Sequence, residues 1–155
     1  MEHIPTRKTI RLKNWNYAKP GYYFITICTK DKACLLWEIV GTPPGRPPLS
    51  AAGEMINREI QITNNIYQYV KIDKYVIMPN HVHLIICLNG CPGGIPTISK
   101  IVNQLKGSVS KQIGFKLWQP RFHDRIIRNE SEYQKIWQYI ENNPMTWEHD
   151  CYFTK

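Results

Sequence analysis

At 155 residues, with 43% apolar and 21% charged side chains, the chain has the size and composition of one ordinary globular domain. It is long enough to bury a core without disulfides, and its longest apolar runs, such as Leu84 to Leu88, are far too short to cross a bilayer. Twenty Lys and Arg against twelve Asp and Glu give a net charge of +8 and an isoelectric point near 9.3, a balance suited to binding phosphate.

Residues 1–20 form a basic, irregular arm with Arg7, Lys8, Arg11 and Lys13, and lack the apolar core of a signal peptide. A cytoplasmic location is therefore expected. Tyr22 to Thr29 is rich in aromatic and β-branched residues and predicts a first strand. Gly41 to Pro48, with four prolines in eight residues, predicts a loop. Ser50 is placed to cap a helix over 51–67, with Glu54 near the site of a capping-box carboxylate. Met55, Ile56, Ile60 and Ile62 are its apolar positions, and follow helical spacing only loosely. Ile72 to Met78 predicts a second strand, Pro79-Asn80 a short turn, and His81 to Leu88 a third strand antiparallel to the second.

Asn89 to Gly94 predicts another loop. Thr97 or Ser99 opens a second helix, with Ile98, Ile101, Val102, Leu105 and Val109 at helical spacing. Leu117 to Arg128 predicts a fourth strand, irregular around Pro120. Asn129 or Ser131 caps a last helix over 129–143, which Asn143-Pro144 stops because a residue before proline disfavours helical angles. The five cysteines are odd in number and irregularly spaced, so reduced structural thiols are expected rather than a zinc site.

The resulting order, β-α-β-β-α-β-α, predicts a single α+β domain over 1–155. Its first six elements match the ferredoxin-like, RRM-like βαββαβ topology, in which four antiparallel strands carry helices on one face. The other face is expected to be open, a platform for nucleic acid. Basic residues recur with aromatic ones between them (Trp15, Tyr17, Trp118, Phe122), a pattern suited to unstacked single strands. Candidate DNA contacts are Arg11, Lys13, Lys106, Lys111, Arg121, His123, Arg125 and Arg128; a solvated basic face with core aromatics would leave the same pattern.

The third strand carries the chemistry. Side chains on a strand alternate between faces, so His81 and His83 share one face with Ile85 and Cys87, while Val82, Leu84, Ile86 and Leu88 point into a core. Two neutral imidazoles side by side can chelate one metal ion, and a third ligand must then come from elsewhere. On the last helix, Tyr139 and Asn143 are four residues apart and lie on one face. If that helix packs beside the third strand, Asn143 supplies the third ligand and Tyr139 the reacting hydroxyl, a poor nucleophile unless a base or a metal activates it, while a divalent ion would polarise the scissile phosphate. Taken singly, each has an ordinary structural explanation: paired strand histidines, a tyrosine bordering the apolar stripe of Ile136, Trp137 and Ile140, and an asparagine ending a helix. Together with the element order they favour a site.

The stretch Met78-Pro-Asn-His-Val-His-Leu84 resembles the histidine–hydrophobic–histidine motif of single-tyrosine HUH transposases, and Tyr139-Ile-Glu-Asn-Asn-Pro144 resembles their catalytic helix. Pro20 to Thr29, Leu105 to Lys111 and Trp118 to Arg128 resemble the REP-associated tyrosine transposase branch, and the likeness runs from about Arg11 to Trp147. The resemblance implies a nuclease and strand transferase acting on single-stranded DNA with hairpins. It implies that Tyr139 is the nucleophile, forming a 5′-phosphotyrosine link, and that His81, His83 and Asn143 hold Mg²⁺ or Mn²⁺. Both a monomer and a homodimer that exchanges catalytic helices fit it. The proline-rich 41–48 stretch departs from the family pattern. Two other readings stand beside it: a non-catalytic single-stranded nucleic-acid-binding module on the same fold, and a metal-dependent hydrolase that uses the histidines without the tyrosine.

Overall fold

Strands form where β-branched and aromatic residues cluster, and helices where an apolar stripe follows a capping residue. The structure, a computed structural model, describes residues 21–38, 48–89 and 97–143. Arg11, Lys13, Cys91, Cys151 and most of the proline-rich loop lie outside the described residues. The elements are β1 (Gly21–Cys28), α1 (Ala51–Ile66), β2 (Val70–Ile77), β3 (His81–Leu88), α2 (Ile98–Ile113), β4 (His123–Ile127) and α3 (Glu130–Asn142), with a short 3₁₀ turn at Lys30–Lys32. The four strands make one sheet in the order β2-β3-β1-β4, and every neighbouring pair is antiparallel. This is the ferredoxin-like arrangement with an added C-terminal helix.

One face of the sheet packs on α1 and α2. Tyr23, Ile25 and Ile27 of β1, with Val82, Leu84 and Ile86 of β3, meet Ile56 and Ile60 of α1 and Ile101, Leu105 and Val109 of α2. The buried stripe of α1 is Ala52, Ile56, Ile60 and Thr63, so Ile62, expected inside, is exposed instead. Helical geometry explains this: spacings of three and four keep one face, and Ile62 falls outside that series.

The opposite face, expected to be open, carries α3. Ile136 and Ile140 bury against Phe24, Val76, Met78, Ile85 and Ile127. Every residue of β3 is therefore buried, on both faces. The register of β2 against β3 shifts between Ile72 and Lys74, which makes Asp73 the extra residue of a β-bulge. One extra residue reverses facing, so Val70 and Ile72 point to the first core before the bulge and Ile77 after it. Val76 and Met78 thereby face α3.

The fourth strand is shorter than expected. Trp118 forms only an isolated bridge with Thr29, Gln119 donates its N–H to the Cys28 carbonyl, and the ladder resumes at His123. Pro120 has no N–H to offer a ladder, which accounts for the gap.

Ser50 caps α1 through a bond from the Gly53 N–H, and Asn129 caps α3 by accepting from the Glu132 N–H. The third residue of α1, where a capping-box carboxylate would sit, is Gly53 rather than Glu54. The reason is steric: a Cβ at Gly53 would lie 2.3 Å from the Leu36 carbonyl oxygen. Helix propensity alone predicts that Gly53→Ala gains about 1 kcal/mol. The Leu36 contact predicts the opposite, a loss of about 1–3 kcal/mol read from the urea midpoint.

Candidate active site

The site is built from β3 outward. His81 and His83 are both fully buried, and their ring centroids are 4.5 Å apart. Each ring is held through Nδ1. His83 Nδ1 lies 2.8 Å from the Thr26 hydroxyl, its register partner on β1, and His81 Nδ1 lies 2.9 Å from the Asn80 amide oxygen. The orientation of that amide is set by its other end, since Asn80 Nδ2 donates to the Lys32 carbonyl at 3.3 Å. An amide oxygen can only accept, so His81 carries its proton on Nδ1 and its lone pair on Nε2. Nε2 of both histidines is a buried atom that makes no hydrogen bond.

Burial is the main reason the His83 pKa lies well below the usual imidazole value, reinforced by His81 and His123. His123 projects from β4 on the same face, directly across Thr26 from His83. Burial also lowers its pKa, against an opposing pull from Asp124. A neutral imidazole is the protonation state a cation requires.

Helix α3 completes the site from above. The Tyr139 ring lies 5.3 Å from the His83 ring and 6.3 Å from Phe24, centroid to centroid. Asn143, the C-terminal cap of α3, is buried and keeps helical backbone angles (φ −59°, ψ −43°) despite the following proline. That angle pair keeps it one turn beyond Tyr139 on the same helical face. The other tyrosine of this helix, Tyr133, donates its hydroxyl to Asp73 at the bulge. Burial and that carboxylate push its pKa up, holding the phenol protonated.

The remaining candidates scatter. Lys106 is buried in α2 and donates to the Gln119 carbonyl at 2.8 Å, pinning the segment before β4. Lys111 is exposed on the same helix, in the layer across the sheet from the histidines. Arg121 and Arg128 are exposed, and Arg125 pairs with Glu132 of α3 at 3.4 Å. Among the described residues, no group of three His, Cys, Asp or Glu is placed to hold a metal. A third ligand would therefore be an amide such as Asn143. Cys28 and Cys87 are buried within β1 and β3, and Cys34 is partly buried.

Thr26 and Asn80 escaped the sequence reading as site residues. Asn80 precedes the histidines directly and reads as a turn residue; Thr26 reaches His83 only through strand register, which no local pattern encodes.

No protein-family model matches the chain. An uncharacterized protein of Haemophilus influenzae is 35% identical, over 95% of this chain and 93% of that protein. The REP-associated tyrosine transposase of Escherichia coli is 29% identical over 57% of this chain and 61% of its own length. The solved structure of the REP-associated tyrosine transposase bound to a REP hairpin superposes with a TM-score of 0.67 and 25% identity, covering 89% of this chain and 74% of that one. In sequence and in fold the chain is similar to REP-associated tyrosine transposases. A candidate transposase of Deinococcus radiodurans shares the fold, at a TM-score of 0.50 and 21% identity over 85% of this chain and 97% of that one. That similarity supports a DNA-processing role of the transposase kind. Among the described residues, no helix is long and apolar enough to cross a membrane.

The lowered pKa values of His83 and His123 have a consequence for stability. Below the ordinary imidazole value of 6.5 the unfolded chain takes up protons that the folded one refuses. This contribution is complete above that value and is lost as pH falls beneath it. Urea midpoints are expected to decline between about pH 7 and about pH 5, and to decline less in His123→Gln. A midpoint that does not fall on acidification contradicts the neutral imidazoles.

Proposed function

We propose that the chain is a metal-dependent endonuclease and strand transferase for hairpin-bearing single-stranded DNA, working through a 5′-phosphotyrosine intermediate. The observation that carries this reading is the Tyr139 ring 5.3 Å from His83, within a face where His81 and His83 lie 4.5 Å apart. The donor set fits a divalent cation, with His81 and His83 offering Nε2 and Asn143 its amide oxygen. Bound there, Mg²⁺ or Mn²⁺ would supply Lewis-acid polarisation of the scissile phosphate. Two imidazoles suit Mn²⁺ better than Mg²⁺, which prefers oxygen.

The chain's own residues account for the rest. Tyr139 Oη attacks phosphorus, the bond from phosphorus to the 3′-oxygen breaks, and the phenolic proton ends on the released 3′-hydroxyl. The 5′-phosphotyrosine conserves the energy of the broken bond, so a later 3′-hydroxyl can reverse the step without ATP. Asn80 holds His81 in the ligating tautomer and Thr26 orients the His83 ring, roles that outer residues of metal sites commonly fill. Tyr133 is the poorer nucleophile, because its hydroxyl is committed to Asp73. Since α3 lies on the sheet of its own chain, the reading favours a site completed within one protomer.

Hairpin DNA labelled at either end, incubated with the protein and Mn²⁺, is expected to yield a covalent adduct on denaturing gels. The adduct disappears in Tyr139→Phe and with a chelator, and persists in Tyr133→Phe. His81→Ala loses cleavage while keeping most of its DNA affinity, because that affinity comes chiefly from Lys and Arg contacts to phosphate. An adduct that survives Tyr139→Phe refutes the assignment of the nucleophile; mobility shifts without any adduct favour the binding-module reading.

A further inference from the structure

Further along the face that holds the histidines, a pocket of about 300 Å³ opens at the start of α3. It is lined by Tyr22, Ile127, Arg128, Asn129, Glu130 and Tyr133. Tyr22 and Ile127 are register partners on β1 and β4 and form its floor. The rings of Tyr22 and Tyr133 meet edge to face, 5.1 Å apart at 66°. Tyr133 is fixed by its bond to Asp73, whereas Tyr22 is 40% exposed although it belongs to the sheet. The result is a rigid aromatic wall, half open to solvent, above an apolar floor and beneath a polar rim.

The chemistry of the rim selects the ligand. An anion is disfavoured at this helix end, because Glu130 and Glu132 occupy the first turn of α3 and Asn129 already caps the Glu132 N–H. A flat group with an aromatic face and a hydrogen-bonding edge fits, with its face on the tyrosines and its edge toward Glu130 and Asn129. Arg128, exposed at the rim, is placed for a phosphate outside the pocket rather than within it. Tyr133 and Tyr139 are separated by six residues of one helix, about 9 Å along its axis. That span lies within reach of the nucleotides flanking a phosphate held at Tyr139.

We propose that this pocket receives one unstacked nucleobase of the single strand that flanks the scissile phosphate. The inference rests on the reading of the chain as a handler of single-stranded DNA, and it is tested by binding rather than by cleavage. Fluorescein-labelled hairpin DNA, with an abasic site moved one nucleotide at a time through its single-stranded flank, is titrated with the full chain in the presence of EDTA. One flank position is expected to lose affinity about tenfold when its base is removed, the size of one base stacked on an aromatic ring. That penalty vanishes in Tyr22→Ala and persists in Tyr22→Phe, which keeps the ring. As a second readout that needs no variant, 2-aminopurine at the same position is quenched on binding.

A penalty spread evenly along the flank, or one unchanged in Tyr22→Ala, overturns the pocket. So does the absence of quenching at every position. Adduct formation in Mn²⁺ is scored separately. Adducts without a position-specific penalty sink the pocket alone, while a position-specific penalty without adducts upholds the pocket and sinks only the nuclease reading.

Discussion

Everything at the candidate site follows from burying one strand on both faces. The core beneath α1 and α2 takes the even-numbered residues of β3, and α3 covers the odd-numbered ones. Two imidazoles are thereby removed from water, which is costly for polar groups that find no partner. Each is met at Nδ1, by Thr26 or by Asn80. The support runs outward from there. The Lys32 carbonyl holds the Asn80 amide, and that carbonyl belongs to a turn in which Asp31 and Lys32 both adopt positive φ, 57° and 55°. A non-glycine residue in that region costs about 1 kcal/mol or more. Two in succession, leading to the residue that fixes a histidine tautomer, tie local strain to the site.

The second constraint is the bulge in β2. By adding Asp73 to the strand it turns Asp73 and Lys74 toward α3, where Asp73 accepts from Tyr133 and Lys74 pairs with Glu141 and lies over the Trp137 ring. These polar contacts orient the helix more than they hold it, since partly exposed ion pairs contribute at most about 1 kcal/mol. The holding force is apolar. Ile136 and Ile140 are almost wholly buried, and each contributes about 1.5–3 kcal/mol. Packing therefore sets how firmly α3 sits, and the bulge sets where Tyr139 points.

The same helix reshapes the surface available to DNA. It fills part of the face that an RRM-like sheet would leave open, and lies nearest β2. On β4, His123 and Arg125 share that face and stay partly exposed, and the Tyr22 pocket lies at its far end. Much of the basic character lies elsewhere: Lys111 sits in the opposite layer, and Lys106 is spent on the Gln119 carbonyl. Net positive charge thus says nothing of where on the surface a phosphate would lie.

By itself the sequence determined whatever depends on local periodicity. A two-residue repeat puts His81 and His83 on one face, and a spacing of four puts Tyr139 and Asn143 on another, wherever those elements end up. The same local rules located the first helix start at Ser50 and narrowed the other two to Thr97 or Ser99 and Asn129 or Ser131, of which the fold uses Thr97 and Asn129. Only the tertiary structure decided that the two faces meet, that Thr26 stands between His83 and His123, and that Lys106 is buried. It also decided where a bulge falls and why Gly53, not a carboxylate, is the third residue of α1. Those outcomes arise from strand register and from contacts between residues far apart in the chain, and no repeat along the sequence carries that information.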